Sequence, residues 1–380
     1  MNARLFSRGR LAAALLLWCG LAGPAQADWD AWTQFQHDFM QADGRVIDVT
    51  FEGKSTSEGQ AYGLFFALVA NQRAQFDTIL KWISANLAGN GLGDRLPGWY
   101  WGKRDDGSWG IKDQNPASDA DLWIAYTLLE AGRLWQAPAY DALGRKLLKQ
   151  IAAQEVVDAG AAGTLLLPAP VGFKLSGDRY RLVTSYSPPF IFRYLAGADP
   201  SGPWAKAWSS FLPLALQACA QGVAPDAFVV SGGGKVLPDS EQKPVGSYDA
   251  IRVYTWAAMA GADGAELLRK LAPYAALVQQ QGNPPEKVDP LSGKPLPSEY
   301  SPLGYSGALL PYLKALGQND LLEAQRRRLT LAKMRARLGV GAKANYYDSA
   351  LILFGQGWDE GRFRFDEAGR LQPQWVRDGA

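Results

Sequence analysis

The sequence predicts an all-α protein. Apolar residues recur at helical spacing through most of the chain, and Gly and Pro separate the resulting segments. Some segments are apolar all round, whereas their neighbours carry Lys and Arg on one side. The candidate helices, in chain order, cover residues 31–42, 58–70, 75–88, 118–134, 138–154, 188–196, 203–221, 248–260, 264–280, 304–316, 319–338 and 344–355.

The alternation between two kinds of helix indicates two concentric layers. Residues 61–70 and 250–260 hold almost no charge and are expected to be buried all round. Residues 75–88 instead place their apolar side chains, such as Phe76 and Ile83, on one face, as a half-exposed outer helix would. About twelve helices in this alternation fit an (α/α)6 barrel, although helix counting alone leaves an irregular α-domain open.

Short extended stretches interrupt the helices. Residues 165–173 and 180–183 have the composition of strands. Residues 228–230 and 235–237 flank a Gly-rich turn at 231–234, which predicts a small hairpin. No low-complexity linker divides the chain, so we expect these small β excursions to belong to one domain.

The N-terminal residues have the pattern of a cleaved signal peptide. Three arginines precede an apolar run at 11–22, and residues 25–27 (Ala-Gln-Ala) form a small-x-small cleavage site. We therefore expect residues 1–27 to be removed and residues 28–380 to form a single domain in the periplasm or outside the cell. An anchoring helix, or a lipid on Cys19, is the alternative.

The charge balance bears on the partners. Without the three N-terminal arginines the formal charge falls from +2 to −1. A near-neutral chain gives no electrostatic case for nucleic acid, so we expect an uncharged substrate or partner. No later apolar run is long enough to span a membrane. The sequence also shows no pattern that indicates a large exposed apolar face. The mature protein is expected to be soluble and monomeric.

Cysteine and histidine are scarce. Cleavage would remove Cys19 and leave Cys219, which excludes an intrachain disulfide, and His37 is the only histidine. Histidine triads and His-rich metal sites are therefore disfavoured. We expect no metal and no cofactor, and acid–base chemistry that depends on carboxylates, Tyr or Lys.

Three acids stand at predicted helix starts, each flanked by small residues: Glu58, Asp119 and Asp249. If the helices lie side by side with their starts at one end, these carboxylates converge in one cleft. Paired carboxylates in an aromatic-rich cleft can hydrolyse glycosidic bonds. The alternative is that the acids only stabilise helix N-termini, where negative charge is favourable.

Two of the helix starts carry a capping-box pattern. Ser57 precedes Gln60 by three residues, and Ser118 precedes Asp121 by the same spacing. In this pattern the serine side chain accepts a hydrogen bond from the first turn. We therefore predict that Ser57 and Ser118 cap their helices.

Aromatic residues are the second signal of a sugar cleft. Residues 99–102 (Trp-Tyr-Trp-Gly) are predicted to lie in a loop, Tyr186 precedes two prolines, and Tyr248 precedes an acid. Aromatic planes can stack on the C–H faces of sugar rings, and core packing is the alternative. For Trp123 and Trp256, inside predicted helices, we expect core packing.

Other charged residues admit simpler interpretations. Arg252 follows Asp249 by three residues on the same helix face, where it can orient the acid, bind a sugar hydroxyl or form a plain ion pair. We expect Glu286 and Asp289 to be solvated loop acids. The basic run at 326–328 is expected to lie on a solvated outer face.

The stretch at 117–125 (Ala-Ser-Asp-Ala-Asp-Leu-Trp-Ile-Ala) closely resembles the signature of glycoside hydrolase family 8. The match is long and specific. Residues 45–48, 56–60, 247–254 and 354–359 also resemble the endoglucanases that are encoded with bacterial cellulose synthases. This second resemblance extends over nearly the whole mature chain.

The resemblance implies an (α/α)6 barrel and inverting hydrolysis of a β-1,4-glucan (cellulose) chain. By position, Glu58 corresponds to the proton donor and Asp249 to the base. Asp119 corresponds to an acid often assigned as a nucleophile. Because an inverting reaction has no covalent sugar intermediate, we expect Asp119 to bind and distort the sugar beside the scissile bond.

The resemblance also implies substrate contacts. Tyr186, Tyr248 and Arg252 correspond to residues around the same sugar, and Trp101 to a residue of a neighbouring subsite. Contact with a cellulose synthase export complex is implied by the same resemblance.

Three alternatives remain open from the residues themselves. The same chemistry could act on xylan, mixed-linkage glucan or chitosan, although cationic chitosan calls for more acids. A polysaccharide lyase would use His, Tyr and Arg near uronic acids, which a single histidine disfavours. A non-catalytic glycan binder of an export complex would not need all three acids.

Overall fold

A computed structural model describes residues 29–340 and 345–378; the predicted signal peptide at 1–27 lies outside them. Within these residues the chain is mainly helical. The helices are α1 Asp30–Phe39, α2 Ser57–Val69, α3 Arg73–Trp82, α4 Ser118–Leu134, α5 Pro138–Gln154, α6 Pro189–Ala198, α7 Trp204–Ala218, α8 Ala250–Met259, α9 Ala265–Leu271, α10 Tyr274–Gln281, α11 Leu303–Ala315, α12 Asn319–Arg337, α13 Tyr346–Asp359 and α14 Gln374–Arg377.

Six of these helices form an inner ring: α2, α4, α6, α8, α11 and α13. Nearly every residue of α2 and α4 is buried, including the polar ones. The last and first inner helices contact each other and close the ring of helices, because the aromatic ring centroids of Phe354 in α13 and Phe66 in α2 are 4.6 Å apart. The interior is filled by aromatic rings, and Trp123 of α4 contacts Trp256 of α8 at 5.5 Å. Core packing of these two tryptophans is thus confirmed.

The other long helices form an outer layer. Helices α1, α3, α5, α7 and α12 each pack outside one inner helix, and α9 with α10 completes the layer. In α5 only one face is buried, through Tyr140, Leu147 and Ile151 among others, as the amphipathic pattern predicts. The all-α prediction and its (α/α)6 arrangement are confirmed.

One predicted helix is divided in two. Residues 264–280 were expected to be continuous, but α9 ends at Leu271 and α10 begins at Tyr274. Pro273, between them, has no N–H to donate to the preceding turn, and its ring clashes with a continuing helix.

Short strands connect the helices at their ends. They are β1 Ser55–Thr56, β2 Tyr100–Lys103, β3 Trp109–Asp113, β4 Val156–Asp158, β5 Thr164–Leu166, β6 Lys174–Leu175, β7 Arg179–Val183, β8 Ala227–Ser231, β9 Val236–Leu237, β10 Val288–Asp289, β11 Lys294–Pro295, β12 Phe363–Phe365 and β13 Leu371–Pro373. All pairings between them are antiparallel. The sheets are β1-β2-β3 and β6-β7-β8-β9, and the hairpins are β4-β5, β10-β11 and β12-β13.

The strand predictions have mixed outcomes. The hairpin around the Gly-rich turn is confirmed, with Val229 paired to Leu237. The predicted extended stretch at 165–173 is wrong beyond Leu166, where β5 ends. Residues 99–102 were predicted to be a loop, but Tyr100–Lys103 form β2 between two other strands.

The β12-β13 hairpin covers the end of the barrel that lies away from the three acids. Phe365 stacks on Phe190 of α6 at 3.9 Å, and the Tyr126 hydroxyl donates to the Gly369 carbonyl at 2.9 Å. A cavity of about 1000 Å³ opens at this end and is lined in part by Arg133 and Arg370. It lies near the C-terminus of α4, whereas Asp119 lies at its N-terminus.

The basic run on α12 is less solvated than expected. Leu322 and Leu329 face the barrel and are buried. Arg326 donates to Asp359 at 2.7 Å, and Arg328 donates to the Ser306 hydroxyl at 2.7 Å. These two arginines therefore hold α12 against α13 and α11.

Every helix within residues 29–340 and 345–378 is too short or too polar to span a lipid bilayer.

Candidate active site

The starts of three inner helices meet at one guanidinium group. Glu58 Oε2 and Asp119 Oδ2 both accept hydrogen bonds from Arg252 Nη1, the second at 3.3 Å. Asp249 Oδ1 accepts from Arg252 Nη2. The structure thus brings together four of the residues that the sequence singles out.

Glu58 is positioned by a capped helix start, but the capping residue differs from the prediction. Ser57 was predicted to cap α2; instead Thr56 is the cap, and its hydroxyl accepts from Gly59 N at 3.1 Å. The Gln60 side chain does not reach back to the helix start and accepts from Val46 N at 2.5 Å. Ser57 is therefore the first helical residue, and Glu58 lies in the first turn.

The capping prediction at Ser118 is also wrong. Helix α4 follows Ala117, which provides no side-chain cap, and the Ser118 hydroxyl has no hydrogen-bond partner among the described residues. Asp119 instead accepts from the N–H of Ala120 through Oδ1 at 2.7 Å. This leaves Oδ2 of Asp119 for Arg252.

Asp249 is positioned by an acid that the sequence analysis missed. Asp226, immediately before β8, accepts through Oδ1 from Ser247 N at 2.7 Å, Asp249 N at 3.1 Å and Ala250 N at 2.8 Å. Asp226 therefore caps α8 from another segment and leaves the Asp249 carboxylate for Arg252. Burial, and then the charge of Asp249, raise the pKa of Asp226 to about 6, although the hydrogen bonds from these three N–H groups lower it.

The three carboxyl groups differ in their access to solvent. The side chain of Asp119 is 4% exposed, that of Glu58 20% and that of Asp249 41%. Burial, and then the neighbouring charge of Glu58, raise the pKa of Asp119 to about 8, although Arg252 and the Ala120 N–H oppose the rise. At neutral pH the most buried of the three carboxyls therefore keeps its proton.

Tyrosine rings surround Arg252. The Tyr62 hydroxyl accepts from Arg252 Nη1 at 2.9 Å, and the rings of Tyr186 and Tyr347 lie 5.7 and 5.9 Å from the guanidinium carbon. Tyr186 was predicted from the sequence to border the site, whereas Tyr62 and Tyr347 were not. Tyr62 could have been found, because it follows Glu58 by one helical turn.

Tyr248 forms an exposed wall beside the acids. The residue is 38% exposed, and its hydroxyl donates to Glu286 Oε1 at 3.1 Å. Glu286, expected to be solvated, also accepts from the Ser298 hydroxyl at 2.5 Å. Glu286 therefore holds Tyr248 in place.

Asp289, also expected to be solvated, forms a local hydrogen bond, because its Oδ1 accepts from Leu291 N at 2.9 Å.

Trp101 lies outside the cluster of carboxylates. It pairs with Ser55 across β1 and β2. Its ring stacks on Trp109 at 5.1 Å and meets the edge of Trp82 at 5.5 Å, with the Arg45 guanidinium 4.0 Å from its centre. Ser55, the β1 residue that pairs with Trp101, lies two residues before the start of α2 at Ser57. The sheet therefore holds Trp101 beside the start of α2.

The donor set gives no indication of a metal. In the part of the chain that the structure describes, no group of three or more His, Cys, Asp or Glu side chains has the arrangement of a metal site. The arrangement instead offers a protonated buried acid, two more exposed carboxyl groups and an open tyrosine face. Such a set can move protons at the bond between two sugar units.

The comparisons with known proteins agree with this geometry. The family model described as "Glycosyl hydrolases family 8" matches residues 6–361. The chain is 44% identical over 379 residues to an endoglucanase of Xanthomonas axonopodis pv. citri, covering 98% of this chain and 97% of the relative. It is 40% identical over 370 residues to an endoglucanase of Escherichia coli K12, covering 96% of each chain.

A solved structure resembles the whole fold. The endo-1,4-D-glucanase of Vibrio fischeri ES114 superposes with a TM-score of 0.85 at 37% identity, covering 92% of this chain and 100% of that chain. The resemblance noted in the sequence therefore extends to the tertiary structure. With a matching family model over nearly its whole length, the chain belongs to glycosyl hydrolases family 8 and is a glycoside hydrolase.

Proposed function

We propose that the protein is an inverting endo-β-1,4-glucanase that cleaves cellulose chains. The observation that carries the proposal is that Glu58 and Asp249 bind different nitrogens of the Arg252 guanidinium. They are thus near one another without being a directly bonded pair. An inverting glycosidase needs its two carboxyls ~6.5–9.5 Å apart, with room for one water between base and sugar.

Each acid has a role that suits its surroundings. Glu58 donates a proton to the departing glycosidic oxygen. Asp249, the most exposed of the three, takes a proton from a water on the opposite face of the sugar ring. Asp119 is buried and protonated, so it donates a hydrogen bond to a sugar hydroxyl and holds the distorted ring. The Tyr186 and Tyr248 rings border the same sugar.

Substrate panels with stereochemical analysis test the proposal. We expect reducing ends to be released from soluble cellulose derivatives faster than from xylan or chitosan, with mixed-linkage glucan cleaved at its β-1,4 bonds. Proton NMR of fresh product from a cello-oligosaccharide should show the α-anomer before mutarotation, because a single displacement inverts the β-linkage.

Two results would overturn the proposal. A fresh product with the β-anomer in excess would demonstrate net retention and a double displacement. Faster cleavage of xylan or chitosan than of cellulose would assign another polymer. Heat-inactivated protein is the control for spontaneous hydrolysis.

The activity should depend on one proton held by the carboxyl cluster. The pKa of Asp119 is raised to about 8, so this group is protonated below that pH and loses its proton above it. We therefore expect kcat/KM to fall as the pH rises through about 8, because an ionised Asp119 could no longer donate a hydrogen bond to the sugar. Initial rates across a pH series measure this alkaline limb of the pH–rate profile, in which kcat/KM falls.

The variant Asp119→Asn identifies the group responsible. It removes the titrating carboxyl, so its weaker activity should no longer fall in that pH range. If the same alkaline limb persists in Asp119→Asn, or if the wild-type limb lies well below neutrality, the assignment to Asp119 is wrong.

We also propose that the protein is exported and acts as a monomer in the periplasm or outside the cell, where it acts on newly made cellulose. The support is the signal-peptide pattern of residues 1–27 and the resemblance to endoglucanases encoded with cellulose synthases. Contact with a synthase export complex belongs to the same proposal. N-terminal sequencing of the periplasmic protein should begin at Asp28; a cytoplasmic chain that begins at Met1 would contradict export.

A further inference from the structure

Two further carboxyls lie buried behind Asp119. Asp121 and Glu155 are both fully buried, with 0% of each residue exposed, and their carboxyl groups are neighbours. Within the described residues, none of their four oxygens accepts a hydrogen bond from an N–H or O–H group. Neither the proton donor nor the base of the proposed mechanism uses this pair.

The pair joins two helix ends at the catalytic end of the barrel. Asp121 lies in the first turn of α4, two residues after Asp119. Glu155 ends α5, and its backbone carbonyl accepts from Leu167 N at 2.8 Å, just after β5. The two neighbouring carboxyl groups therefore bring the start of an inner helix against the end of its outer partner.

The protonation of the pair follows from its contacts. A carboxylate has only acceptor oxygens, so two carboxyl groups can bond to each other only through a proton. Among residues 29–340 and 345–378, the other ionisable group that acts on both members is a further acid, Asp119, and neither member forms an ion pair with a cation. Arg252, with Glu58 and Asp249, lies on the far side of Asp119. A buried negative charge without a cation is strongly unfavourable.

We propose that Asp121 and Glu155 form an electrically neutral pair of protonated carboxyls that holds the first turn of α4 and so positions Asp119 against Arg252. They are positioning residues and touch no substrate. Burial first, and then neighbouring acids, raise the pKa of Glu155, and burial raises that of Asp121, which agrees with this state. The positioning role rests on the proposed function; the protonation state does not.

The protonation state can be measured through unfolding. Folded carboxyls with raised pKa values keep protons that the unfolded chain releases above its own pKa of about 4. The stabilisation is therefore complete at low pH and is lost as the pH rises towards the folded pKa values. Denaturant unfolding across a pH series measures how steeply the unfolding equilibrium constant rises with pH.

The double variant Asp121→Asn/Glu155→Gln should flatten this dependence. Amides donate and accept hydrogen bonds as protonated carboxyls do but do not titrate. Each proton that only the folded state holds makes the unfolding equilibrium constant rise an extra ~10-fold per pH unit. The constant of the wild type should therefore rise ~100-fold more per pH unit than that of the double variant. It should rise ~10-fold more than that of either single variant. Equal slopes in all proteins would show that the pair is ionised and would overturn the proposal.

A matched control lies on the same helix. Glu130 of α4 is also fully buried, but it accepts from Arg133 Nε at 2.8 Å and from Leu371 N at 2.6 Å. Because its charge is already paired, Glu130→Gln should leave the pH slope of unfolding unchanged. A flattened slope in this control would mean that the method does not isolate the pair.

Infrared spectroscopy gives the same answer if the double variant fails to fold. In wild-type protein at alkaline pH, where Asp119 has lost its proton, the carbonyl band of protonated carboxyls should persist. Its absence would contradict a neutral pair. Neither measurement needs substrate, so failure of the proposed activity would leave both results interpretable.

Kinetics test the positioning role. Asp121→Asn should keep the wild-type kcat and pH profile, because the amide preserves the bond to Glu155. Asp121→Ala should lower kcat by up to ~100-fold with a smaller change in KM, since small displacements of a catalytic group are costly. Equal loss in Asn and Ala variants, or an altered pH profile in Asp121→Asn, would overturn the role.

Discussion

Replacing Glu58 with Gln should abolish most β-1,4-glucan hydrolysis and leave the fold intact. The amide has nearly the same size and can still accept the hydrogen bond from Arg252 that Glu58 accepts. It has no acidic proton for the leaving oxygen, and a general acid is worth about 10²–10⁴-fold in rate. The kcat on a soluble cellulose derivative, with circular dichroism of the folded variant, measures this effect.

The leaving group distinguishes the two proposed roles. Fluoride departs without protonation, so Glu58→Gln should still hydrolyse a cello-oligosaccharyl fluoride, whereas Asp249→Asn should be impaired on both substrates. Glu266→Gln is the matched control, because Glu266 lies exposed in the first turn of outer helix α9. If Glu58→Gln keeps near wild-type activity on glucan, the acid is misassigned.

Replacing Arg252 with Met should cost both stability and activity. Arg252 is 2% exposed and binds Glu58, Asp119 and Asp249 at once. Removing one partner of a buried ion pair costs ~3–5 kcal/mol of unfolding free energy, because the remaining charge is left without compensation. Since the same guanidinium orients the acids, kcat should fall at least ~100-fold.

The loss of stability in Arg252→Met should depend on pH. Without the cation the pKa of Asp119 rises further, so the folded state holds protons that the unfolded state releases. The destabilisation should therefore be greatest at alkaline pH and shrink as the pH falls. Denaturant unfolding at several pH values measures it; a penalty that grows at acid pH would contradict the model of a cation that compensates three carboxyls.

Arg181 provides a matched control for Arg252. It is also buried, and it donates to Asp239 at 2.8 Å and to Glu241 at 2.9 Å, on the four-stranded sheet. Arg181→Met should destabilise the protein without changing kcat of the folded enzyme. Equal kinetic losses in the two variants would mean that Arg252 acts only through stability.

Local patterns were enough to single out the three acids that the structure brings together at Arg252. Glu58, Asp119 and Asp249 each stand where an apolar helical segment begins, and the Gly and Pro joints mark those beginnings. If consecutive inner and outer helices run in opposite directions, every inner helix runs in the same direction. Together these two regularities place the three acids at one end of the barrel, where the structure has them.

The capping residues could not be assigned from spacing. Ser57 and Thr56 are both suitable caps, and the choice depends on where the extended backbone ends. Thr56 is held extended because it pairs with Tyr100 of β2, which is distant in sequence. Asp226 was missed for the same reason, since it caps α8 from before β8 rather than from the residues next to the helix.

By itself, the sequence determined the helical layers, the end of the barrel at which the acids lie, and the placing of Arg252 on the same helix face as Asp249. Only the tertiary structure decided which acid keeps a proton, which tyrosines enclose Arg252, and that Asp121 meets Glu155. The reason is physical: helix periodicity and caps arise from neighbours along the chain. Desolvation and charge coupling arise instead from groups that folding brings together from distant parts of it.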